Sequence, residues 1–162
     1  MIFVVLGTQK FQLNRLLQKL DEYVEQGLLT DEIYAQIGNS TYKPRHYAYK
    51  DFMDKKEFDA TIAKADLVIA HSGVGTIITA IHAKKPVVVF PRLAKYKEHV
   101  DDHQVQLLKQ FDEMNIICSC YEMDDLGKMV SELDHMQFVP YQSNTQTIIE
   151  DIEQYLESIW EE

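Results

Sequence analysis

Short apolar runs alternate along this chain with stretches in which apolar residues recur every three or four positions. Ile2–Leu6 (IFVVL) is a continuous apolar run of strand length, and Phe11, Leu13, Leu16, Leu17, Leu20, Tyr23 and Val24 then recur at helical spacing as far as Gly27. Glu32–Gly38 and, more weakly, His46–Lys50 read as strands. A helix is predicted over Asp54–Lys64, a strand over Leu67–Ala70, a loop over His71–Thr76, a helix to about Ala83 and a strand over Pro86–Phe90. His99–Phe111 reads as a helix, Asn115–Cys120 as a strand, the stretch near Asp124–Leu133 as a helix, and about Asn144 to Trp160 as the last helix.

Strands and helices in alternation mean βαβ crossovers, so the expected fold is α/β: a single Rossmann-like domain over residues 1–162 with a mostly parallel sheet covered on both faces. Ligands in such sheets sit beyond the carboxyl ends of the strands. Two loops leave strands there with glycine at the turn, Gly7-Thr8-Gln9 and His71–Thr76, and they hold three of the six glycines.

Composition narrows the function classes. A net charge of −10 argues against nucleic acid, which selects basic surfaces, yet leaves room for a small anion held by local amide donors. No apolar run approaches the ~20 residues that span a bilayer, and MIFVVLG lacks the basic lead of a signal peptide. Cys118 and Cys120, two apart on a predicted strand, suit neither a disulfide nor a redox pair; buried free thiols and a reducing cytoplasm are expected.

The chemistry concentrates in the second loop. Gly73 and Gly75 let the backbone turn sharply and approach a ligand, and the N–H groups opening the next helix favour a phosphate. Ser72 and Thr76 add hydroxyls, and His71 is placed to donate to the same oxygens. The competing reading is a tight strand-to-helix turn with Ser72 as the helix cap. The spacing is neither the G-x-G-x-x-G dinucleotide fingerprint nor a P-loop. In Glu98–Gln104 (EHVDDHQ), a helix would put His99 and His103 one turn apart, as in metal-binding pairs, with Asp102 or Glu98 as a further ligand. The alternatives there are a solvated acidic helix start and a polar ligand site.

Five segments in order, FVVLGTQKFQLNRLL, AQIGNSTY, ADLVIAHSGVGTIITAI, KKPVVVFPR and EHVDDHQ, resemble the C-terminal, donor-binding domain of glycosyltransferase family 28. The likeness covers residue 2 to about 110. It is nearest to the small catalytic subunits of two-part bacterial exopolysaccharide glycosyltransferases, which are akin to the eukaryotic split asparagine-linked glycosylation enzyme. The resemblance implies the C-terminal half of the GT-B architecture and inverting transfer of a hexose-type sugar from a uridine diphosphate donor to a lipid-linked acceptor. It implies that Gly7, Thr8 and Gln9 face the diphosphate and acceptor, and that His71, Ser72, Gly73, Val74, Gly75 and Thr76 form the main diphosphate loop. Phe52 and Met53 match the uracil cradle, and His103 and Gln104 the pair that touches the transferred sugar. Thr79 stands where the family's peptidoglycan enzyme has a ribose-gripping Glu, and its hydroxyl cannot give a carboxylate's two-oxygen grip. Neither metal nor cofactor is expected: the Asp-x-Asp of metal-using transferases is absent, and loop amides would stabilise the leaving group.

The first predicted strand begins at Ile2, so the chain reads as half an active site. The expected partner is a separate, membrane-anchored subunit that supplies the acceptor site and the general base; no catalytic base is assigned here. The chain is expected in the cytoplasm, peripheral to the inner face of the plasma membrane through that partner. In the last helix Ile148, Ile152, Leu156 and Ile159 make one apolar stripe, with Ile149, Tyr155 and Trp160 beside it. That stripe either packs on this domain's own sheet or docks the partner. Two other classes stay open: a stand-alone nucleotide-binding regulatory module, and a metal-dependent hydrolase built on His99 and His103.

Overall fold

The structure, a computed structural model, describes residues 1–160. Six strands form one all-parallel sheet in the order β3-β2-β1-β4-β5-β6. In chain order the elements are β1 (Ile2–Val5), α1 (Asn14–Glu25), β2 (Ile33–Gln36), β3 (Ala48–Lys50), α2 (Lys55–Lys64), β4 (Leu67–His71), α3 (Val74–His82), β5 (Val87–Phe90), α4 (His103–Glu113), β6 (Cys118–Ser119), α5 (Leu126–Glu132) and α6 (Thr145–Trp160).

The strand order reverses between β1 and β4. Crossovers from β1 and from β4 therefore leave toward opposite edges, and the loops that follow them open a crevice at the switch point. Those loops are the two glycine-bearing ones.

Side chains alternate across the sheet into two cores. Ile2, Val4 and Leu6 join Leu16, Leu17 and Leu20 of α1 and Leu126 of α5 on one face. Phe3 and Val5 join Ile62 of α2, Ile77 and Ala80 of α3 and Leu108 of α4 on the other. Burial on both faces explains the continuous apolar runs of β1, β4 and β5. Cys118 and Cys120 are free and buried, and burial pushes their thiols up to about 11 and about 12, so they are inert core side chains.

Three segments differ from the sequence expectation. The helix predicted from His99 starts at His103, because acidic side chains take the backbone donors around it. Asp101 accepts from His103 N–H (3.0 Å), Asp102 from Ala94 N–H (2.8 Å) and Glu98 from Leu93 N–H (3.0 Å). The predicted strand over Asn115–Cys120 pairs only at Cys118–Ser119, where β5 offers an edge. The helix near Asp124–Leu133 is α-helical only over Leu126–Glu132.

The apolar stripe of α6 does not pack on the sheet. Ile148, Ile152, Leu156 and Ile159 are each about half exposed, as are Ile149 and Tyr155 to similar degrees. The side chain of Trp160 lies outside the described residues. Among the described residues no helix is long and apolar enough to cross a membrane.

Candidate functional site

β1 ends in a turn at Gly7, whose φ of +71° is left-handed. A Cβ there would stand 2.7 Å from His71 Cε1, so glycine is required on two counts. β4 ends at His71, and Gly73 serves as the backbone cap of α3. A Cβ at Gly73 would overlap His71 Nε2, whereas one at Gly75 meets nothing within 4 Å. The first glycine of the loop is thus imposed by the imidazole beneath it, and the second opens onto free space.

Ser72 does not cap α3: its hydroxyl is buried and unpartnered. The N–H groups of Val74, Gly75 and Thr76 make no hydrogen bonds among the described residues. With the positive end of the helix dipole, these donors suit a phosphate.

His71 differs from its predicted role as a donor. Its Nδ1 lies 3.3 Å from the carbonyl of Val5, which can only accept, so Nδ1 carries the proton and Nε2 a lone pair. Burial first, and then the field of Arg92, lower its pKa to about 4, so the ring is neutral at physiological pH. In the unfolded chain the ring regains its ordinary value of 6.5. The unfolded state therefore binds more protons between pH 6.5 and about 4, and stability falls through that window as pH falls. Each pKa unit is about 1.4 kcal/mol, which makes this group's full effect on the order of 3 kcal/mol. The imidazole resonance of His71 is expected to titrate near pH 4; a midpoint at 6.5 or above contradicts the assignment.

A cleft of about 410 Å³ lies between the two loops and is closed on one side by α2. Gly7, Thr8, Met53, Gly75, Thr76 and Thr79 all line it. Six residues from three separate predicted pieces thus meet in one place. His71, Ser72 and Gly73 lie below them, the first two buried. Val74 is exposed on the first turn of α3, Gln9 is exposed beyond Thr8, and Phe52 is half exposed outside the cleft lining. Met53 N–H donates to Gln36 Oε1 (3.1 Å), so its carbonyl is the group left for a ligand.

Thr79 Oγ1 donates to the carbonyl of Gly75 (2.7 Å) and keeps only lone pairs for a ligand. Asp59 also lines this cleft, a residue that the sequence motifs do not single out. It comes from α2 and is paired there with Lys55 at 2.8 Å. Its only signal was a carboxylate six residues after Met53, too weak to single out.

His103 is exposed at the first turn of α4. Gln104 is buried, and its Oε1 accepts from the backbone N–H of Arg92 (3.1 Å), leaving its amide nitrogen and one oxygen lone pair uncommitted. Neither lines the cleft. His99 precedes α4 and pairs through Nδ1 with Asp101 (2.9 Å), while Glu98 is bound by Arg15. The one-turn His99/His103 pair therefore does not form, and the described residues contain no group of three His, Cys, Asp or Glu side chains placed to hold a metal. A larger recess of about 560 Å³ between α1 and α5, lined by Leu20, Tyr23, Leu28 and Leu126, has no glycine loop and lies away from the switch point.

Substitution separates the two glycines. Gly75→Val is expected to leave the fold intact and to weaken binding of uridine diphosphate at least tenfold, ~1.4 kcal/mol. Gly73→Val is expected to lower thermal stability as well, because its side chain enters the imidazole's volume. Equal melting temperatures for the two variants would contradict this division of roles.

Residues 1–158 match the glycosyltransferase family 28 C-terminal domain. The UDP-N-acetylglucosamine transferase subunit ALG13 of Candida albicans is 32% identical over 105 residues, covering 65% of this chain and 32% of that protein. A Prochlorococcus marinus enzyme is 39% identical over 72 residues, covering 42% of this chain and 19% of its own. It is named as the UDP-N-acetylglucosamine–N-acetylmuramyl-(pentapeptide) pyrophosphoryl-undecaprenol N-acetylglucosamine transferase. The NMR solution structure of ALG13 superposes with a TM-score of 0.56 at 18% identity, covering 90% of this chain and 91% of that one; at that identity the likeness shows the fold. The chain spans a third or less of the length of the curated relatives it first matches.

Proposed function

The chain belongs to the glycosyltransferase family 28 C-terminal domain family, and from that premise we propose that it is the donor-binding catalytic subunit of an inverting glycosyltransferase. Its substrate is a uridine diphosphate hexose; the names of its relatives favour N-acetylglucosamine as the sugar. The acceptor is lipid-linked and belongs to bacterial polysaccharide synthesis. The observation that carries this reading is the cleft at the β1/β4 switch point, where open space over Gly75 faces free N–H groups of α3.

In this reading the diphosphate lies against Gly75 and Thr76, with Gly7 and Thr8 across from them. Uracil lies on Met53 toward Phe52, and Thr79 with Asp59 takes the ribose hydroxyls: Thr79 by a lone pair, Asp59 by its carboxylate. The sugar then extends toward His103 and Gln104 at the start of α4. An acceptor hydroxyl attacks the anomeric carbon from the face opposite the leaving group, and the glycosidic bond to the diphosphate breaks. The electron pair goes to the diphosphate, where oriented amides and the helix dipole stabilise it. Neutral His71 shapes the floor of both loops by filling the space beside Gly7 and Gly73.

The acceptor site and the base that removes the hydroxyl proton come from a membrane-anchored partner, which holds this chain at the cytoplasmic face of the membrane. The exposed stripe of α6 is the surface we assign to that partner; apolar side chains in a contiguous exposed row mark interaction sites.

Isothermal titration tests the nucleotide reading. Uridine diphosphate is expected to bind with a preference over the other nucleoside diphosphates and with the same affinity in the presence of a chelator. Binding abolished by chelator, or absent altogether, overturns it.

A further inference from the structure

Arg92 follows β5 and is 1% exposed, the largest of the fully buried side chains. Its Nη2 donates to the carbonyls of Leu6 (2.6 Å) and Phe11 (3.1 Å), the two ends of the loop that carries Gly7, Thr8 and Gln9. Its backbone N–H is fixed by Gln104. Nε and Nη1 are buried with no partner among the described residues. Glu98 is close enough for its charge to act on Arg92, but both its oxygens bond Arg15, and one also takes Leu93 N–H. The guanidinium stays protonated at neutral pH even though burial lowers its pKa to about 10.

A buried cation whose nearby carboxylate is committed elsewhere is unfavourable, and two open donors add to that. The compensating group has to be an anion or strong acceptor. The position of the charge says where it comes from. Arg92 acts electrostatically on His71, whose ring closes against Gly7 and Gly73 from below. The guanidinium thus bridges the two ends of the Gly7 loop, near the imidazole that closes against both glycine loops. The imidazole between them is neutral, so the charge at this floor is that of Arg92. In a chain of net charge −10, this is a local positive floor beneath the free N–H groups of α3.

We propose that Arg92 is the positioning residue for the pyrophosphate group of a nucleoside diphosphate, holding both ends of the Gly7 loop and setting a fixed positive charge beneath the two loops. This assignment rests on the nucleotide reading above. A plain loop brace would serve any ligand of the cleft equally. A charge under the diphosphate serves only the phosphates, and uridine is the control that separates the two.

The experiment titrates uridine diphosphate and uridine into the wild-type chain, Arg92→Gln and Arg92→Lys. Arg92→Gln is expected to bind uridine as the wild type does and to lose at least tenfold in affinity for uridine diphosphate, ~1.4 kcal/mol. Arg92→Lys, which keeps the charge without the two-carbonyl grip, is expected to fall between them. In the wild-type chain the Arg92 Nε–H resonance is expected to shift on adding uridine diphosphate and to stay in place with uridine, a readout that needs no variant to fold. Equal losses for both ligands, or an unchanged Nε–H resonance, would overturn the assignment while leaving nucleotide binding intact. A wild-type chain that binds the diphosphate no better than the nucleoside overturns the nucleotide reading itself, and this assignment with it.

Discussion

Incubated with a radiolabelled uridine diphosphate sugar and a lipid-linked acceptor, this chain alone is expected to transfer no sugar beyond slow donor hydrolysis. Membranes carrying the acceptor subunit are expected to raise transfer by orders of magnitude. In the proposed reading, the groups gathered at the β1/β4 cleft, which are the free amides of α3, the open face of Gly75 and the two loops, act on the departing diphosphate. Holding an acceptor hydroxyl in line with the anomeric carbon is a separate task, worth ~7–11 kcal/mol of barrier in favourable cases. We assign that task to the partner. Ile152→Glu, a charge in the middle of the exposed stripe of α6, is expected to abolish the stimulation by membranes while uridine diphosphate binding stays unchanged. Robust transfer by the chain alone, at a rate membranes do not alter, would contradict the two-part account and point to a second copy of this chain as the acceptor half.

The second large effect is on stability. Arg15 reaches from α1 to Glu98, bonding both carboxylate oxygens at 2.7 and 2.8 Å, and its guanidinium lies 4.4 Å from the ring centre of Phe90 and 4.6 Å from that of Tyr96. Glu98 is 1% exposed. Removing one partner of such a pair strands a buried charge and costs about 3–5 kcal/mol. Whole domains are stable by only ~5–15 kcal/mol, so Arg15→Ala should lose a large part of the total. Denaturant unfolding measures it, and a double-mutant cycle with Glu98→Gln isolates the coupling. A loss below about 1 kcal/mol, the range of surface pairs, would contradict the reading of Glu98 as the anchor of the segment between β5 and α4.

That anchor also marks where the sequence stopped being legible. Local pattern dictated β1, β4 and β5, because strands buried on both faces must be apolar throughout. The glycine loops were legible for the same reason, since each follows such a run. The start of α4 was not. His99–Asp102 has helical spacing, but Glu98, Asp101 and Asp102 bond backbone donors from distant or neighbouring residues, and those partners are set by tertiary structure. The purpose of Gly73 was likewise hidden. Sequence reading assigned it to the ligand, while the structure gives the space to His71 and leaves only Gly75 open. Arg92 closed a recognisable segment, yet its burial under the first loop depends on contacts more than eighty residues away in the chain. Asp59 entered the cleft only because α2 packs beside it.

The most direct measurement is an amide chemical-shift titration of the isotopically labelled chain with uridine diphosphate. The account predicts saturable shifts centred on Gly7, Thr8, Gly75 and Thr76, with Met53 and Thr79 at the margin and no change on adding chelator. Shifts confined to the recess between α1 and α5, around Tyr23 and Leu126, or no saturable shifts at all, would contradict it.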